Sequence, residues 1–565
     1  MSAAEFSLGG LVLLPLLASA AAVLLGGRAR GVVGLLTALL ICGLCAPVLA
    51  QAVAGSVTVL PLGGYEAPLG IRLRADGLSV LFLCLAAAVG TVVSLHAAIM
   101  PASTGQRLVS SAGKAHAEQA DAGRADSPAV WQSSHPGFWP LWLGCWSGLN
   151  AVFVSGDLFN TYVGLELVGL TAVALVALGG RDSWMPALRY LFVAVLGSLL
   201  FLVGVGLILA ATGTLDMEQA AQQLAETPES HAAAVFALCL MSVGLGLKVA
   251  LMPMHRWLIP AHAGAPGAVS PLLSALVIKA ALFVILRLWL WVMPLDATTE
   301  VETGLTSSLD SGLSAAVTAL AWMLGGLGAL AVILGSVMAL RQDRLKPLVA
   351  YSTVAQVGYW FLFLPLLLDP EADALEGQPG TTLAEDSVLS GALSGSVALA
   401  LGHGVAKAGL FLAAGLLKEL WGTDEIDSLR GAGRRHPLLI MAMGLCAVGL
   451  IGLPVSLGFT GKWHLATSAV AAEHWWIIAV LVLGTLLSAG YLVRAIAPLL
   501  LQEAEASRDE EHDAGPEPHD ADAAAESPRR HRLAEVPPFL LGLLTVLTGF
   551  LGVGLDALIG VGAPW

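Results

Sequence analysis

Four ionisable side chains lie inside long apolar stretches of this chain, where a charge is costly. They are Glu166 in FNTYVGLELVGLTAVALVAL, Lys248 in VFALCLMSVGLGLKVALMP, Lys279 in VSPLLSALVIKAALFVILRLW and Lys407 in LSGSVALALGHGVAKAGLFLAAGLL. A charge at the centre of a bilayer costs about 2.5–3.5 kcal/mol or more, so such groups are usually paired, hydrated and functional. The pattern predicts an ion or proton path through a membrane protein.

The Glu166 carboxylate and the Lys248 ammonium would stabilise each other as a buried ion pair. If the two meet, the pair holds Lys248 protonated, and separating them leaves a desolvated ammonium that favours release of its proton. Lysine suits this chemistry because its protonation responds to burial, whereas arginine stays charged. Lys279, one predicted helix further on, is the next candidate carrier. The alternatives are a static Glu166–Lys248 pair and a Lys279 that bonds backbone carbonyls at a helix break.

His403 and Lys407 are four residues apart, so they would share one face of a helix. Histidine gains and loses a proton near neutral pH, and the two residues together could therefore form a relay. The alternative is a histidine that only packs in the core. Lys462, near the far end of the series, could exchange protons with water outside the membrane and would complete the predicted relay.

Three secondary candidates lie near interruptions of the apolar stretches. His255 and His262 flank a break in MPMHRWLIPAHAGAP, where they could cap the break, line a cytoplasmic proton entrance, or do both. Asp157 precedes the stretch that contains Glu166, so its structural alternative is a helix N-cap. Lys346 in RLKPLVAYSTVAQVGY is predicted to lie at the membrane interface, with its aliphatic chain buried and its ammonium in water.

The composition excludes a soluble protein and gives no sign of a cofactor. Apolar residues make up 57% of the 565 residues and charged residues 12%, whereas a soluble domain carries about 25% charge. No haem-attachment CxxCH, iron–sulfur run, GxGxxG or P-loop occurs, so no redox, nucleotide or metal site is predicted. Cys42 and Cys45 form a CxxC inside a hydrophobic span without a second ligand pair. We interpret the six cysteines as packing residues rather than redox or metal ligands.

About fourteen apolar stretches have the length of membrane-spanning helices, which predicts an all-α polytopic membrane protein. We place them near 7–25, 31–53, 77–100, 137–155, 158–178, 186–212, 232–257, 266–294, 312–340, 346–368, 388–417, 437–459, 474–500 and 536–560. The 7–25 stretch has no basic segment before it, so it is interpreted as a first span rather than a cleaved signal. The stretches 266–294, 312–340 and 388–417 exceed the bilayer thickness, which favours tilt or a break.

Lysine and arginine are concentrated in alternate loops, which predicts the orientation of the chain. The basic set holds Arg28 and Arg30; Arg107, Lys114 and Arg124; Arg181; Arg341, Arg344 and Lys346; Lys418, Arg430, Arg434 and Arg435; and Arg508, Arg529, Arg530 and Arg532. The other set holds Arg72, Arg74 and few other basic residues, and its loops 213–231, 295–311 and 369–387 contain acidic residues without Lys or Arg. The basic loops are therefore predicted in the cytoplasm and both termini outside the cell membrane.

Two of the predicted cytoplasmic loops are long and polar. The first is 101–136, and the second, 502–535, is acidic, rich in alanine and contains proline. The composition of the second is typical of a disordered linker, with a docking site for a partner as the alternative. The net charge of −14 lies largely in loops, so it implies neither a basic partner nor nucleic-acid binding.

Proline and glycine interrupt two spans at corresponding places. Pro253 follows Lys248 in GLKVALMPMHRW, and Pro454 precedes Lys462 in GLPVSLGFTGKW. A broken helix leaves carbonyl groups free to meet water or ions. Broken helices near charged groups in two halves of a chain are typical of transporters with inverted repeats.

Five segments, in order from about 137 to 500, resemble the proton-translocating antiporter-like family shared by respiratory complex I, membrane-bound hydrogenases and Mrp-type multisubunit cation/proton antiporters. They are DLFNTYVGLELVGL, GLGLKVALMPMHRWLIPAHAGAPGAVSPLLSALVIKAALFVILRLW, RLKPLVAYSTVAQVGYW, GHGVAKAGLFLAAGLL and GLPVSLGFTGKW. The resemblance implies fourteen helices, two inverted five-helix repeats with broken helices, and both termini outside. The implied division is three N-terminal helices (1–100), a first repeat with the proton half-channel (137–294), a second repeat (312–500) and a C-terminal helix (536–565).

The resemblance also implies a role for each relay candidate. Glu166 matches the family's fifth-helix glutamate, and Lys248 matches the lysine of its first broken helix. Lys279 matches the bridging lysine of the eighth helix. His403 and Lys407 match the histidine and lysine of the eleventh helix, and Lys462 matches the lysine of the second broken helix. The lysine at 462, the ATGTLDM segment and the DLFN run resemble most the D-type chain of Mrp antiporters. Arg256 and Ile259 in MHRWLIP and the two long polar loops depart from the family pattern.

The expected function is that of a D-like subunit of a multisubunit sodium/proton antiporter. Such a chain would carry the proton half-channel and the lateral relay, and it would handle the cation together with partner subunits. The alternative is a proton-pumping subunit of a complex I-like oxidoreductase or membrane-bound hydrogenase, whose redox centres lie in other chains. A scaffold without transport is disfavoured because it gains nothing from buried lysines, and a self-contained redox enzyme lacks cofactor ligands.

Overall fold

The computed structural model describes residues 2–68, 70–100, 135–292, 307–368, 388–501 and 532–563. Regular structure in these residues is almost entirely helical, which confirms the predicted all-α class. The polar loops at 101–136 and 502–535 lie almost entirely outside the described residues. The disordered linker and the docking site proposed for the second of these loops therefore remain predictions.

The helices fall close to the predicted spans. In chain order they are α1 Ala3–Leu24, α2 Gly27–Val53, α3 Gly77–Ile99, α4 Phe138–Val154, α5 Leu158–Ala177, α6 Arg181–Thr212, α7 Met217–Glu226, α8 His231–Lys248, α9 Leu258–Gly264, α10 Val269–Val292, α11 Ser307–Leu340, α12 Leu345–Leu367, α13 Val388–Trp421, α14 Pro437–Ile451, α15 Leu457–Ala471, α16 Trp475–Leu500 and α17 Val536–Leu547. Among the described residues, twelve helices are long and apolar enough to cross a membrane, or thirteen with the bent helix that contains α14. The remaining predicted span, 137–155, corresponds to α4, which has 17 residues.

Side-chain caps mark where several helices begin. Asp76, Asp157, Asp216 and Ser456 each accept a hydrogen bond from a backbone amide in the first turn of the helix that follows. The first amides of a helix have no partner within it, and a side-chain cap contributes about 1 kcal/mol by satisfying one of them. The structural alternative for Asp157, a helix N-cap, is thereby confirmed.

Besides α9 and α15, which follow the two helix breaks, two elements between the spans were not predicted. Strands β1 (Thr58–Pro61) and β2 (Arg72–Ala75) form an antiparallel hairpin between α2 and α3. Helix α7 lies in the stretch 213–231, which the sequence pattern indicated only as a loop. Both elements are short, and α7 buries only Met217, Ala220 and Leu224, so neither produces the long apolar signal on which the span prediction depended.

Loops of the two predicted sets meet at opposite ends of the bundle. At one end, which we call the hairpin end, the Gly156 amide donates a hydrogen bond to the Arg72 carbonyl of β2. At the other, which we call the basic end, the Leu345 amide donates to the Asp424 carbonyl, and the Arg344 guanidinium lies 2.6 Å from the Asp424 carboxylate. The alternation seen in the sequence therefore corresponds to two separate ends of the fold.

Two spanning helices are broken where the sequence predicted. Residues 249–257 separate α8 from α9, with Ala250 in the left-handed region at φ 61°. Residues 452–456 separate α14 from α15. Each break leaves carbonyl groups without a partner in the helix, so side chains or water can bind them. The broken helices are confirmed, while the repeat boundaries 137–294 and 312–500 remain predictions.

Glycines allow a neighbouring helix to approach closely beside each broken span. A Cβ atom on Gly197 of α6 would lie 2.6 Å from the Gly244 carbonyl oxygen of α8. A Cβ atom on Gly395 of α13 would lie 2.8 Å from the Gly461 carbonyl oxygen of α15. These distances exclude a side chain, so the helices touch through their backbones, as small residues allow in membranes. The charged residues on these helices are brought close to the bundle interior as a result.

Candidate proton pathway

Glu166 and Lys248 form a loose ion pair in the first half of the chain. Lys248 is the last residue of α8, and its Nζ lies 3.9 Å from Oε1 of Glu166 in the middle of α5. The side chains are 9% and 26% exposed, respectively. Room for the lysine comes from two glycines, since a Cβ atom on Gly197 would lie 3.3 Å from its Cγ and one on Gly169 would lie 3.8 Å from Nζ. The pairing expected from the sequence is present, and its length leaves the two groups free to separate.

Lys279 is fully buried on α10 and meets both of the partners considered in the sequence analysis. Its Nζ donates a hydrogen bond to the Ser274 carbonyl at 2.8 Å and lies 2.5 Å from Nδ1 of His403. The Ser274 carbonyl belongs to a π-helical turn, Leu273–Val277, a feature frequent at functional sites. Nζ also lies 4.7 Å from the centre of the Trp360 ring, an arrangement that favours a cation. Lys279 therefore makes both the predicted contact with a backbone carbonyl and the predicted contact with a relay residue.

His403 and Lys407 lie one turn apart on α13, as predicted, and both are buried. A protonated Lys279 donates to His403 Nδ1, so a neutral His403 carries its hydrogen on Nε2. This Nε2 atom has no hydrogen-bond partner among the described residues. Lys407 donates to the Val349 carbonyl at 2.9 Å and to the Ser352 hydroxyl, both on α12.

Gln356, one turn after Ser352 on α12, is a polar residue that the sequence analysis missed. Its Nε2 donates to the Leu450 carbonyl at 3.0 Å, next to the second helix break, and lies 3.5 Å from the hydroxyls of Ser488 and Tyr491. The signal was present in AYSTVAQVGY, where the serine and the glutamine have the four-residue spacing of one helix face. Gln356 therefore continues the polar line from Lys407 toward α14 and α16.

Lys462 on α15 completes this line and is 8% exposed. Its Nζ donates to the Ile451 carbonyl at 2.9 Å and to the Thr485 hydroxyl at 2.8 Å, and it lies 4.8 Å from the centre of the Tyr359 ring. The Ile451 carbonyl is the last of α14 before the break. Because the ammonium is buried, its exchange with water outside the membrane remains a prediction.

The secondary candidates occupy three different settings. His262 is fully buried and stacks on Phe411 at 4.4 Å, and both of its ring nitrogens lack a hydrogen-bond partner among the described residues. His255 is 8% exposed and lies 6.4 Å from the Tyr351 ring, measured between ring centres. Asp157 caps α5 through the Asn160 amide at 2.6 Å, and burial is the main reason that its pKa is raised. The proposed entrance role of the two histidines remains a prediction.

The ammonium of Lys346, predicted to lie in water at the membrane interface, is instead buried in the protein. Its side chain lies within the bundle, with the residue 3% exposed, and Nζ donates to the Ala265 carbonyl at 2.9 Å. Ala265 follows the last residue of α9, whose carbonyls lack helical partners. The ammonium thus satisfies the end of the short helix after the first break, a role that could not be read from the flanking residues.

The two parts of the path are not joined by direct hydrogen bonds in the described residues. Lys279, His403, Lys407, Ser352, Gln356 and Lys462 follow one another on α10, α13, α12 and α15. Glu166 and Lys248 stand apart from this series. Nor does any group of three or more His, Cys, Asp or Glu in the described residues have the arrangement needed to hold a metal ion. The chemistry that this arrangement supports is proton transfer among lysine, histidine and hydroxyl groups.

Comparison with known proteins places this arrangement in a family. The family described as "NADH:quinone oxidoreductase/Mrp antiporter, TM" matches residues 155–367 and 377–488, more than half of the chain. The N subunit of the NADH-quinone oxidoreductase of Desulforudis audaxviator is 34% identical over 359 residues, which span just under two thirds of each protein, 64% of this chain and 64% of that one. The D-type chain of the Na(+)/H(+) antiporter of Alkalihalophilus pseudofirmus is 28% identical over 425 residues, which cover 75% of this chain and 72% of that one.

A solved structure shares the fold over almost the whole chain. One chain in the structure of the Mrp complex from a Dietzia species superposes with a TM-score of 0.72 at 23% sequence identity, covering 99% of this chain and 97% of that one. All six relay candidates lie within the two segments that match the family. The chain belongs to the NADH:quinone oxidoreductase/Mrp antiporter transmembrane family.

Proposed function

We propose that this chain is the D-like, proton-translocating component of a multisubunit sodium/proton antiporter. The observation that carries the proposal is the buried series of lysine, histidine and hydroxyl groups from Lys279 on α10 to Lys462 beside the second helix break. The relative from Alkalihalophilus pseudofirmus, which is named as a D-type Na(+)/H(+) antiporter chain, supports the choice of system. The cation would be handled together with partner subunits in the same membrane.

The loose Glu166–Lys248 pair would act as the switch of the relay. At 3.9 Å the carboxylate stabilises the ammonium without a close hydrogen bond, so a small movement of α5 against α8 changes the balance. Separation leaves Lys248 in a medium where its charged form is costly, and its proton moves inward. Return of the carboxylate favours uptake of the next proton.

The buried groups from Lys279 to Lys462 would carry the proton laterally. Lys279 passes a proton to Nδ1 of His403 along their 2.5 Å contact, and the ring then releases a proton from Nε2. Lys407, one turn away on α13, receives it through a rotation of the ring or a water molecule. The Ser352, Ser488 and Tyr491 hydroxyls continue toward Lys462, with the Gln356 amide holding them in place.

Orientation follows from the separation of the loops into two ends. We propose that the basic end faces the cytoplasm, because cytoplasmic loops carry the excess of Lys and Arg. The hairpin end and both termini then lie outside the cell membrane. Fusion of a reporter that is active on one side only, placed after Trp421 and separately after Thr212, tests this assignment, and identical signals from the two sites would contradict it.

A second candidate is a proton-pumping subunit of a complex I-like oxidoreductase. The relative from Desulforudis audaxviator, which is named as an NADH-quinone oxidoreductase component, favours it at the higher identity of 34%. In that case the same relay would be driven by electron transfer in other chains. The buried path is compatible with either source of energy, so transport must be measured with both.

The test is sodium-dependent proton movement in inverted vesicles from a host that lacks its own antiporters. The host expresses the chain with its neighbouring genes, beside a Lys248→Ala variant that is present in the membrane at the same level. A pH change on adding sodium that disappears in the variant supports the antiporter. Proton movement only on adding an electron donor supports the oxidoreductase component.

A further inference from the structure

A cluster of charged side chains lies at the hairpin end, apart from the relay. We call Arg72, Arg74, Asp76, Asp216, Glu218 and Arg287 the Asp76 cluster. Its centre is the ion pair between Asp76 Oδ1 and Arg287 Nη2 at 2.7 Å, with the two residues 1% and 3% exposed. Its rim is Glu218, whose side chain is 43% exposed and lies 2.8 Å from Arg72. The cluster thus runs from the surface to the interior.

Several buried polar atoms in the Asp76 cluster have no hydrogen bond to a protein group. Among the described residues, hydrogen-bond partners are missing at Nε of Arg72, Nε of Arg74, Oδ2 of Asp76, Oδ2 of Asp216 and Nη1 of Arg287. These atoms expose almost no surface, so ion pairs hold the centre of the cluster, among them Arg74 Nε to Asp76 Oδ2 at 3.7 Å. The cluster reaches solvent at its rim, through Arg72 and Glu218.

Asp76 stays ionised in this cluster. Burial works to raise the pKa of its carboxyl, but the charge and hydrogen bond of Arg287, together with the Ser79 amide, outweigh burial. The pKa therefore lies below its ordinary value, and Asp76 keeps its charge at any pH near neutrality. Asp76 is thus a lasting negative charge beside Arg287 at the interior end of the cluster.

Arg287 lies on the same helix as Lys279, with one aromatic residue between them. Lys279, Phe283 and Arg287 follow at four-residue intervals on α10, so they lie along one side of the helix at about 6 Å per step. The Arg287 guanidinium is 4.9 Å from the centre of the Phe283 ring. Lys279 of the relay and Arg287 of the Asp76 cluster are therefore only about 12 Å apart along the helix axis.

Three phenylalanines from three helices fill the level between them. Phe82 of α3, Phe153 of α4 and Phe283 of α10 contact one another, with ring centres 5.3–5.4 Å apart. Each is at most 1% exposed. We call these residues the phenylalanine triad. Its rings offer no hydrogen bond to water, and narrow apolar layers of this kind block water and ions by remaining dry.

We propose that the phenylalanine triad is a dry barrier that isolates Lys279 from the Asp76 cluster and, through the exposed rim of that cluster, from solvent at the hairpin end. The proposal rests on the proposed function only in that Lys279 carries a mobile proton. Without the barrier, water would connect Lys279 to the hairpin end, and protons would leave the relay without doing transport. The barrier thus explains how a buried lysine and a charged cluster that reaches solvent can lie so close on one helix.

The test is passive proton leak through the assembled complex in sealed vesicles. A potassium diffusion potential set with valinomycin drives protons in the absence of sodium and of electron donors. The variant is Phe283→Ala, and the matched control is Phe138→Ala, which removes an equally buried ring of α4 at the basic end. We expect a several-fold rise in leak for Phe283→Ala alone, with assembly of each variant confirmed beforehand.

A double variant tells a breached barrier from a general packing defect. Phe283→Ala with Lys279→Ala should return the leak to the parent level, because protons then find no carrier beyond the barrier. An unchanged leak in assembled Phe283→Ala, an equal leak in Phe138→Ala, or a leak that persists in the double variant would each overturn the proposal. If Phe283→Ala does not assemble, Phe82→Leu and Phe153→Leu replace it, with the same expected direction.

This experiment is independent of which energy source drives the complex. Leak is measured without sodium and without electron donors, so the barrier can be confirmed in a protein that proves to be part of an oxidoreductase. Conversely, if sodium-dependent transport is present but the triad variants do not change the proton leak, the antiporter proposal is supported and the barrier proposal is overturned.

Discussion

The two halves of the path treat a buried charge in opposite ways. In the first half, Lys248 faces a carboxylate at 3.9 Å, and the Glu166 side chain keeps 26% of its surface exposed. In the second half, Lys279, Lys407 and Lys462 are sealed and bind backbone carbonyls of Ser274, Val349 and Ile451. The first arrangement is a loose ion pair with a partly exposed carboxylate, whereas the second consists of close hydrogen bonds between buried groups.

This difference indicates a division of labour. In the described residues, no carboxylate forms an ion pair with the three lysines of the second half. Carbonyl groups accept hydrogen bonds from a neutral amine as well as from an ammonium, so these sites do not hold a proton permanently. The Glu166–Lys248 pair does favour the charged form. The first half is thus suited to switching and the second to conduction.

Removing the carboxylate tests the switch and should have the largest effect. We expect Glu166→Gln to reduce transport to background while the chain still assembles, because nothing then controls the charge of Lys248. Glu166→Asp, which keeps the charge at a greater distance, should retain part of the activity. Transport is measured in inverted vesicles, and assembly by recovery of the complex in detergent. Misassembly of Glu166→Gln would instead favour the static ion pair.

Replacing a sealed lysine by arginine separates conduction from hydrogen bonding. We expect Lys279→Arg to abolish transport, because a guanidinium keeps its proton, although it can still donate to a carbonyl. If Lys279 only satisfies the carbonyl of the π-helical turn, the arginine variant should transport normally. The same replacement at Lys346, which we place outside the relay, serves as the comparison and should be better tolerated. Proton movement per assembled complex is the measurement.

Replacing Gln356 should have a smaller effect on proton transport through the second half of the path. Gln356→Leu removes the amide that binds the Leu450 carbonyl, and loss of a buried hydrogen bond of about 1–3 kcal/mol should lower the transport rate by roughly tenfold. The matched control is Gln342→Leu, a partly exposed glutamine at the basic end whose amide donates to the Met338 carbonyl in the last turn of α11. Equal rates in the two variants would remove Gln356 from the pathway.

Gly197 and Gly395, the glycines beside the two broken spans, should give the smallest difference in transport between the two halves. Gly197→Ala and Gly395→Ala would each push against a carbonyl oxygen at 2.6 Å and 2.8 Å, respectively, so both should lower the melting temperature in detergent. Only the first also presses on the Lys248 stem, at 3.3 Å. We therefore expect a greater loss of transport than of stability for Gly197→Ala, and parallel losses for Gly395→Ala. The same ratio of transport loss to stability loss in both variants would contradict the proposal that the first half is the looser one.

Sequence patterns located the charges well because apolar context reveals a buried charge directly. The shared face of His403 and Lys407 and both helix breaks follow from helical spacing and from proline and glycine. The Glu166–Lys248 contact was a hypothesis drawn from their opposite charges, and the structure bears it out. Lys346 was misplaced because nothing in its flanking residues shows that the end of α9 packs against it. Contacts of this kind depend on which helices become neighbours, and a single chain's pattern does not specify that.

The polar neighbours of the lysines illustrate the same limit. Serine, threonine and glutamine inside apolar helices are common, so Ser352 and Gln356 stood out only after α12 was seen beside α13 and the end of α14. The hairpin was missed for a different reason. Its two strands have four residues each, and strands that short give no alternation long enough to distinguish from a loop.

The π-helical turn Leu273–Val277 has a consequence for how α10 tolerates change in length. Such a turn contains one residue more than an α-helical turn would need, so it rotates everything that follows by about 100° relative to an uninterrupted helix. Deleting a single residue there would restore a regular helix and swing Lys279 away from His403. Phe283 and Arg287 would turn with it. The direction in which these three residues point is therefore set by the number of residues in one turn rather than by any side chain.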